Sequence, residues 1–321
     1  MPLQPGLIII NGKYRIIRLI GEGGMGRVWL GEEIAFGNRR VAIKEPRAEL
    51  PIADRADLLS RYAREVELSA LLARAPHVVP ALTAEPYEGE LLLVMDYLPG
   101  GDLGALLRQR VGGMAVDQAL AVVADVLVGL DAAHSHPLGI VHRDIKPSNV
   151  IFDSVGDAYL ADFGVAQVAR LSQRSLAGAG PHPGTPLYSA PEQARGTGYL
   201  TPAADIYSLG CVLFEMVAGQ PYKTLRPGTG IRSMRPELPT WLADLLARAL
   251  AESPWDHWRD AGEMAMAIST GMKAAALPTR VGYSAKDLHG QPGRKGKVEA
   301  AATGGSGMEH AGRRVACALV Q

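Results

Sequence analysis

The chain has 321 residues, of which 47% are hydrophobic and 21% charged, so it can bury one large core or two smaller ones. Its formal net charge is zero, which gives no electrostatic reason to expect nucleic acid or an anionic membrane surface as a partner. Only two cysteines are present, Cys211 and Cys317, which argues against a disulfide framework and indicates a reducing compartment. We therefore expect a cytoplasmic protein.

The longest apolar stretches, residues 119–130 and 206–218, are each interrupted by a carboxylate, Asp125 or Glu215. Both fall short of the roughly 18 consecutive apolar residues that indicate a membrane span. The apolar run at residues 7–10 is too short to be the core of a signal peptide. We therefore expect neither a membrane span nor a signal peptide.

The first predicted elements are antiparallel strands, because residues 13–44 alternate short apolar runs with glycine breaks. One segment between two runs has the spacing G-x-G-x-x-G-x-V and consists of Gly21, Glu22, Gly23, Gly24, Met25, Gly26, Arg27 and Val28. Without side chains at the glycines, backbone N–H groups can approach phosphate oxygens there. A plain hairpin turn explains the glycines equally well. A dinucleotide-binding fold would require a helix where Val28, Trp29 and Leu30 continue as a strand.

A helix is predicted over residues 54–73, where the apolar period changes. Its buried stripe consists of Leu58, Tyr62, Ser69 and Leu72, with Glu65 in the middle. A carboxylate on the buried face of a helix is costly unless a cation meets it. Lys44, which ends the strand-like run at residues 41–43, is the best candidate for that cation. Considered alone, Lys44 would be an ordinary surface lysine, and it is the buried Glu65 that favours a pair.

The remainder of the chain is predicted to be mainly helical. After a strand at residues 91–95 and a Pro-Gly-Gly turn, helical patterns cover residues 116–134, 204–219, 241–251 and 261–268. We place a boundary near residues 96–98, so that residues 1–97 form a small sheet domain with one helix and residues 98–270 form a helical domain. Residues 271–321 hold eight Lys/Arg against three Asp/Glu without periodicity, which predicts a disordered basic tail. The predicted fold class is α+β.

Two polar motifs carry the strongest chemical signal. The first is His142-Arg143-Asp144-Ile145-Lys146-Pro147-Ser148-Asn149, and the second, Asp162-Phe163-Gly164, begins thirteen residues after Asn149. Strand-like runs flank both motifs, so their polar groups lie where strands end and loops begin. Two aspartates, a lysine and an asparagine held in this way suit phosphoryl transfer, which depends on positioning more than on covalent chemistry. The alternative, that Asp144 and Asn149 only form turns, leaves the fixed offsets unexplained.

Together with the glycine-rich segment and Lys44, these motifs resemble the eukaryotic-like (Hanks-type) bacterial serine/threonine protein kinase family over about residues 14–268. The resemblance implies a bilobal fold with a small antiparallel sheet lobe and a larger helical lobe. It also implies ATP and Mg²⁺ as cofactors and protein Ser/Thr hydroxyls as substrates, with autophosphorylation. No oligomeric state is predicted.

The resemblance assigns a role to each polar residue of the two motifs. Asp144 would accept the proton of the substrate hydroxyl, and Lys146 would lie near the transferred phosphate. Asn149 and Asp162 would hold the metal. Phe163 is expected to pack beneath the helix that carries Glu65.

The resemblance also implies which residues surround the nucleotide. Lys44 would hold the α- and β-phosphates and be oriented by Glu65. The full set is Gly21, Glu22, Gly23, Gly24, Met25, Gly26, Val28, Ala42, Lys44, Glu65, Met95, Asp96, Leu98, Asp102 and Ile151. For the apolar positions near the adenine, and for Asp102 near the ribose, an ordinary structural role is an equal alternative.

A further motif, residues 184–192, resembles the family segment that receives the substrate peptide. Lys146 at its offset is typical of serine/threonine kinases and not of tyrosine kinases. Glu192 and Arg259 match a family ion pair, and Asp205 matches a helix residue that braces the catalytic loop. We assign these last three residues to structure.

Regulation and docking are predicted less directly. Arg143 places a cation beside the base, and we expect phosphorylated Ser172 or Ser175 to supply an anion for it. Residues 219–241 are rich in Pro and Gly where family members carry a further helix used in docking.

Two other functional classes are retained as alternatives. A pseudokinase would keep the fold as a binding scaffold, but Lys44, Asp144, Asn149 and Asp162 are all present. A small-molecule kinase generally lacks the segment at residues 184–192. A metal site formed by the histidines is not expected, because no Cys or carboxylate joins them at a ligand spacing; these are His134, His136 and His142.

Overall fold

The computed structural model of this protein describes residues 3–23, 26–46, 52–110, 112–163, 167–168, 185–195 and 201–275. An antiparallel sheet of six strands has the order β1-β2-β3-β4-β6-β5. The strands are β1 (Ile8–Ile9), β2 (Tyr14–Gly23), β3 (Gly26–Glu33), β4 (Arg39–Pro46), β5 (Ala81–Tyr87) and β6 (Glu90–Asp96). The predicted antiparallel sheet is confirmed. Strands β1 and β5 were not predicted, because β1 has only two residues and β5 is a half-exposed edge strand that contains Pro86.

The two faces of the sheet carry different side chains. Alternate residues of its strands form a buried cluster that includes Tyr14, Ile16, Trp29, Val41, Ile43, Leu92 and Val94. Since side chains alternate along a strand, Ala42 and Lys44 point to the opposite face. This alternation directs the one lysine of β4 away from the apolar cluster.

Helix α1 (Ile52–Leu71) contacts β4 and β5. Tyr62, buried on its inner side, donates a hydrogen bond to the carbonyl oxygen of Lys44 (2.6 Å) and accepts one from the backbone N–H of Leu93 (3.0 Å). Ser69 and Leu72 are buried as well, so the predicted stripe is confirmed for these residues. The side chain of Leu58 lies outside the described part of the structure.

Six further helices are described after the sheet. They are α2 (Leu103–Arg108), α3 (Val116–His134), α4 (Pro191–Arg195), α5 (Pro202–Ala218), α6 (Thr240–Ala249) and α7 (Ala261–Ala274). The predicted helices are confirmed, and α7 continues six residues beyond its predicted end into the segment expected to be a disordered tail. Two 3-10 turns, Tyr222–Thr224 and Ile231–Ser233, occupy the Pro/Gly-rich segment. No helix in these ranges has both the length and the apolar character of a membrane span.

Short strand pairs hold the two polar motifs against the helices. Strand β7 (Ile140–Val141) precedes the first motif and pairs with β10 (Gln167–Val168). Strands β8 (Val150–Phe152) and β9 (Ala158–Leu160) form a hairpin between the motifs. Buried apolar residues of all these strands except β10 contribute to the core around α3 and α5, so the polar motifs begin and end on fixed backbone.

Candidate active site

The glycine-rich segment is a β-hairpin. Gly21 pairs with Val28 and Gly23 with Gly26, while the tip residues Gly24 and Met25 lie outside the described residues. A Cβ at Gly26 would lie 2.0 Å from the carbonyl oxygen of Glu45, so only glycine fits that position. Because the chain continues from the last glycine as strand, the dinucleotide-binding alternative is wrong.

A buried cation, Lys44, lies on β4, which pairs with the second strand of this hairpin. The Nζ of Lys44 is 2.5 Å from Glu65 Oε1 and 3.0 Å from Asp162 Oδ1. The predicted pair between Lys44 and Glu65 is therefore present, and Asp162 joins it. Burial opposes the charge of Lys44, but the charges of Asp162 and Glu65 outweigh it and raise the pKa of the ammonium group. Burial also raises the pKa of Glu65 to about 7, and Asp162 adds to this shift.

The side chain of Asp144 lies at the centre of a second polar cluster. Its Oδ2 lies 2.5 Å from Lys146 Nζ and accepts from Asn149 Nδ2 (3.3 Å). The same Asn149 amide donates to the carbonyl oxygen of Asp144 (2.8 Å). On the other side, Asp144 Oδ1 accepts from the backbone N–H (3.2 Å) and the hydroxyl (3.1 Å) of Thr185. The carboxylate is thus held in one orientation from both sides.

The two clusters are joined through the backbone. The N–H of Ala161 donates to the carbonyl oxygen of Asn149 (2.9 Å), which brings Asn149 next to Asp162. Arg143 and Asp162 both have positive φ, at 71° and 65°. For residues other than glycine this conformation is strained, and such strain is concentrated at functional sites.

This arrangement fits a magnesium ion bound to phosphates. Asn149 uses its amide nitrogen to hold Asp144, which leaves the amide oxygen as a ligand, and Asp162 contributes a carboxylate. Oxygen ligands of this kind are those that Mg²⁺ takes, with phosphates and water completing the shell. The donors present therefore match the predicted metal.

Asp205 of α5 is fully buried and anchors the first motif. It accepts hydrogen bonds from His134 Nε2 (2.9 Å), the N–H of His142 (2.8 Å) and the N–H of Arg143 (2.7 Å). Burial opposes its ionisation, but the contacts with His134, His142 and the N–H of Arg143 outweigh burial and lower the pKa of Asp205. The structural role predicted for Asp205 is confirmed. His142 also bonds the carbonyl oxygen of Ala161 through Nε2 (3.0 Å).

We expect Asp205→Asn to destabilise the protein by about 3 kcal/mol, because an amide cannot accept all three hydrogen bonds and leaves a buried N–H unpaired. The lowered pKa gives this effect a pH dependence. The contribution of Asp205 is present above its ordinary pKa of 3.8 and is lost as the pH falls below it. Urea denaturation at pH 7 and pH 3, with the exposed Asp256→Asn variant as control, tests this. The prediction would be contradicted if the difference in free energy of unfolding between the wild type and Asp205→Asn were as large at pH 3 as at pH 7.

The described residues of the set predicted around the nucleotide lie mostly on or just after the sheet, with Glu65 on α1, Asp102 at the start of α2 and Ile151 on β8. Ala42 pairs with Met95 across β4 and β6, and Val28 pairs with Lys44 across β3 and β4. Leu98 is half-buried after the sheet.

Two polar residues of this set have partners in the protein. Asp96 is bonded to Arg39. Asp102 forms a bridge with Ile151 and also caps α2, accepting from the N–H of Ala105 (2.7 Å). The structural alternative for Asp102 is therefore realised in this conformation.

The expected ion pair between Glu192 and Arg259 is wrong. Arg259 precedes the first turn of α7, where its N–H donates to Glu263 Oε2 (2.7 Å) and its guanidinium bonds Asp260 Oδ2 (3.1 Å). Its side chain is 82% exposed. Glu192 is buried, and neither of its carboxylate oxygens has a hydrogen-bond partner among the residues described.

Several contacts of the site were not predicted. Thr185 was assigned no role of its own from the sequence, yet its hydroxyl donates directly to Asp144. Tyr188 donates to Glu215 Oε2 (2.7 Å), and Gln193 Nε2 donates to the carbonyl oxygen of Arg143 (2.7 Å). These pairs are 27 to 50 residues apart in sequence. The sequence offered only one indication of these contacts: Thr185 and Tyr188 are polar residues of the recognised segment at residues 184–192, and Gln193 follows it.

Phe163 is buried against His142, with ring centroids 4.5 Å apart. It belongs to the same core cluster as Leu68 and Leu72, at the end of the helix that carries Glu65. Beside Asp144, a cavity of about 350 Å³ is lined in part by Lys146, Thr185, Tyr188, Glu215 and Arg108. It gives a concave surface next to Lys146 and Thr185, the two residues that bond opposite oxygens of Asp144.

Comparison with known proteins places these motifs in a family context. The family model described as protein kinase domain matches residues 14–282. The chain is 34% identical over 280 residues to the probable serine/threonine-protein kinase PknB of Lactococcus lactis, covering 84% of this chain and 43% of that protein. It is also 34% identical to the serine/threonine-protein kinases PknD of Mycobacterium tuberculosis and PknE of Mycobacterium bovis, covering 80% and 82% of this chain and 39% and 47% of those proteins. The chain thus spans less than half the length of these relatives.

Proposed function

Because the chain belongs to the protein kinase family, we propose that it transfers the γ-phosphoryl group of ATP to Ser/Thr hydroxyls of proteins, including its own. The observation that carries the proposal is the joined pair of polar clusters, one around Lys44 and one around Asp144. Residues 1–97 and 98–270 would be its two lobes, with the nucleotide between them. The free, buried thiol of Cys211 supports a reducing, cytoplasmic location.

In the proposed reaction, Asp144 orients the substrate hydroxyl and accepts its proton. Thr185 occupies one oxygen of this carboxylate with two hydrogen bonds, so the arriving hydroxyl either replaces one of them or joins them. Lys146, at 2.5 Å from the other oxygen, offsets negative charge near the transferred phosphate.

The nucleotide is held by other residues. Lys44 would bind the α- and β-phosphates, with Glu65 keeping its ammonium group in place. Asn149 and Asp162 would hold Mg²⁺, which when bound neutralises charge on the phosphates. The hairpin of Gly21, Gly23 and Gly26 would cover the phosphates with backbone N–H groups.

The two alternatives are less well supported. A pseudokinase scaffold does not require the polar geometry around Asp144, yet each group that the transfer needs is present. A small-molecule kinase does not explain why Thr185 and Tyr188 tie residues 185–190 to the base and to α5.

Incubation with radiolabelled ATP, Mg²⁺ and a generic protein substrate, beside a Lys44→Met variant, tests the proposal. We expect label on protein serine or threonine that is lost in the variant. If only a small molecule carried the label, the result would favour a small-molecule kinase. Binding of Mg-ATP without transfer would favour the scaffold.

We further propose that phosphorylated Ser172 or Ser175, both outside the described residues, supplies an anion for Arg143. Burial and the nearby charges of Arg61 and Arg64, partly offset by Asp205, lower the pKa of Arg143 to about 10. A phosphate close to these guanidinium groups would be stabilised by charge-assisted hydrogen bonds.

Phosphopeptide mapping after incubation with Mg-ATP is expected to find phosphate on Ser172 or Ser175, and Ser172→Ala/Ser175→Ala to lower activity several-fold. The Lys44→Met protein serves as the unphosphorylated control. Absence of phosphate from both serines in active protein would contradict the idea.

A further inference from the structure

The segment at residues 185–190 has three attachments to the rest of the protein. Thr185 binds Asp144, and Tyr188 binds Glu215 on α5. The third attachment is Lys223, in the 3-10 turn after α5. Its Nζ donates to the carbonyl oxygen of Pro186 (3.2 Å) and to that of Ser189. One ammonium group therefore holds two carbonyls of the same turn.

Glu192, close to this segment in the chain, does not have the cation that was expected for it. Glu192 lies two residues beyond the end of the segment, is 8% exposed, and has no hydrogen-bond partner for its carboxylate among the described residues. Arg259, which was expected to pair with it, is turned toward Asp260. A buried carboxylate needs a compensating cation nearby. Among the described residues, Lys223 is a half-buried cation on which Glu192 has a smaller electrostatic influence than burial, Cys211 or Glu252.

The surroundings of Lys223 keep it in this place. Its ammonium group lies over the ring of Tyr207, 5.3 Å from the centroid, which favours a cation. Burial lowers the pKa of Lys223, while Cys211, Glu252 and Glu192 oppose that shift. The lysine is thus enclosed between α5 and the segment at residues 185–190, away from Lys44 and Asp162.

We propose that Lys223 is a positioning residue for protein substrates, which fixes the shape of residues 185–190 by bonding two of the carbonyl oxygens of that segment. The inference rests on the proposed function, in which this segment receives the substrate. Within the described part of the structure, the hydrogen bonds of Lys223 go to Pro186 and Ser189 and not to Asp144, Lys44 or Asp162, so we expect its main effect on binding of the protein substrate.

Lys223→Met keeps the length of the side chain and removes the donors and the charge. We expect the KM for the protein substrate to rise about tenfold, with kcat within about twofold of the wild type and the KM for ATP unchanged, as for a loss of uniform binding. Lys223→Arg retains a cation and donors and is expected to recover most of the lost kcat/KM. Lys273→Met, at an exposed position near the end of α7, is the matched control and should match the wild type.

Hydrogen exchange gives a readout that does not depend on catalysis. In Lys223→Met, the amides of residues 187–190 are expected to exchange at least about tenfold faster, because the turn loses two of its bonds. Unchanged exchange would overturn the inference even if the protein proved inactive.

Three other results for Lys223→Met would overturn the inference as well. The KM for ATP could change as much as the KM for the protein substrate, the KM for the protein substrate could stay unchanged, or the variant could fail to fold. The last result would make Lys223 a general stability residue. Failure of the proposed function is distinguishable, because the wild type itself would then transfer no phosphate.

Discussion

Asp144→Asn is expected to lower turnover by about 10²- to 10⁴-fold, which corresponds to about 3 to 5.5 kcal/mol of activation free energy. The side chains have the same shape, and an amide oxygen can still accept from Thr185. The amide can no longer take the proton of a substrate hydroxyl. Its nitrogen would also face the ammonium group of Lys146, which lies 2.5 Å from a carboxylate oxygen in the wild type. The loss therefore concerns the chemical step.

Binding of Mg-ATP should change little in this variant, because Lys44 and Asp162 belong to a separate cluster. Steady-state kinetics and calorimetry with Mg-ATP measure the two effects independently. Asp256→Asn, an exposed aspartate, is the control for a generic charge change. Turnover of Asp144→Asn within twofold of the wild type would refute its assignment as the base.

Lys44→Met is expected both to abolish measurable phosphoryl transfer and to destabilise the fold by about 3 kcal/mol. Glu65 is 1% exposed, and without the lysine it is left near Asp162 with no cation. The nucleotide would also lose the group that holds its α- and β-phosphates. Adding Glu65→Gln removes the uncompensated carboxylate, so Lys44→Met/Glu65→Gln should regain part of the stability but none of the activity.

The loss of stability in Lys44→Met should depend on pH. The pKa of Glu65 is raised by burial from its ordinary 4.5 to about 7 in the folded protein, so the favourable contribution of the protonated group is present below 4.5 and lost as the pH rises through about 7. Without Lys44, ionised Glu65 is still less favourable. Urea denaturation should therefore give a small difference from the wild type at pH 5 and a larger one at pH 8. Lys273→Met serves as the control. A difference in free energy of unfolding between Lys44→Met and the wild type that is the same at pH 5 and pH 8 would contradict this account.

The pair between Lys44 and Glu65 shows how far sequence reasoning reaches. The helical period placed Glu65 on a buried face, and a buried carboxylate requires a cation. The spacing of strand residues then left Lys44 as the best candidate. Local geometry, with side chains alternating along β4, was sufficient to direct it toward α1.

The pair expected between Glu192 and Arg259 shows where such reasoning ends. Glu192 is buried, as was expected of a structural residue. Whether Arg259 could reach it depended on how the chain before α7 packs against α4. Arg259 is used at the start of α7, where backbone groups and Asp260 compete for it. Lys223 drew no attention in the sequence, because nothing in a Pro/Gly-rich segment indicated that it would reach the carbonyls of residues 186 and 189.

The sequence by itself determined the long helices, most strands of the sheet, the order of the polar motifs and the family resemblance that these motifs carry. These features depend on residues close together in the chain, where side-chain period and fixed offsets are decisive. Only the tertiary structure decided that Thr185 binds Asp144, that Tyr188 binds Glu215, and that Lys223 bonds the carbonyl oxygens of Pro186 and Ser189. Hydrogen-bonding and charged groups choose among several possible partners, and that choice is fixed by the packing of distant segments.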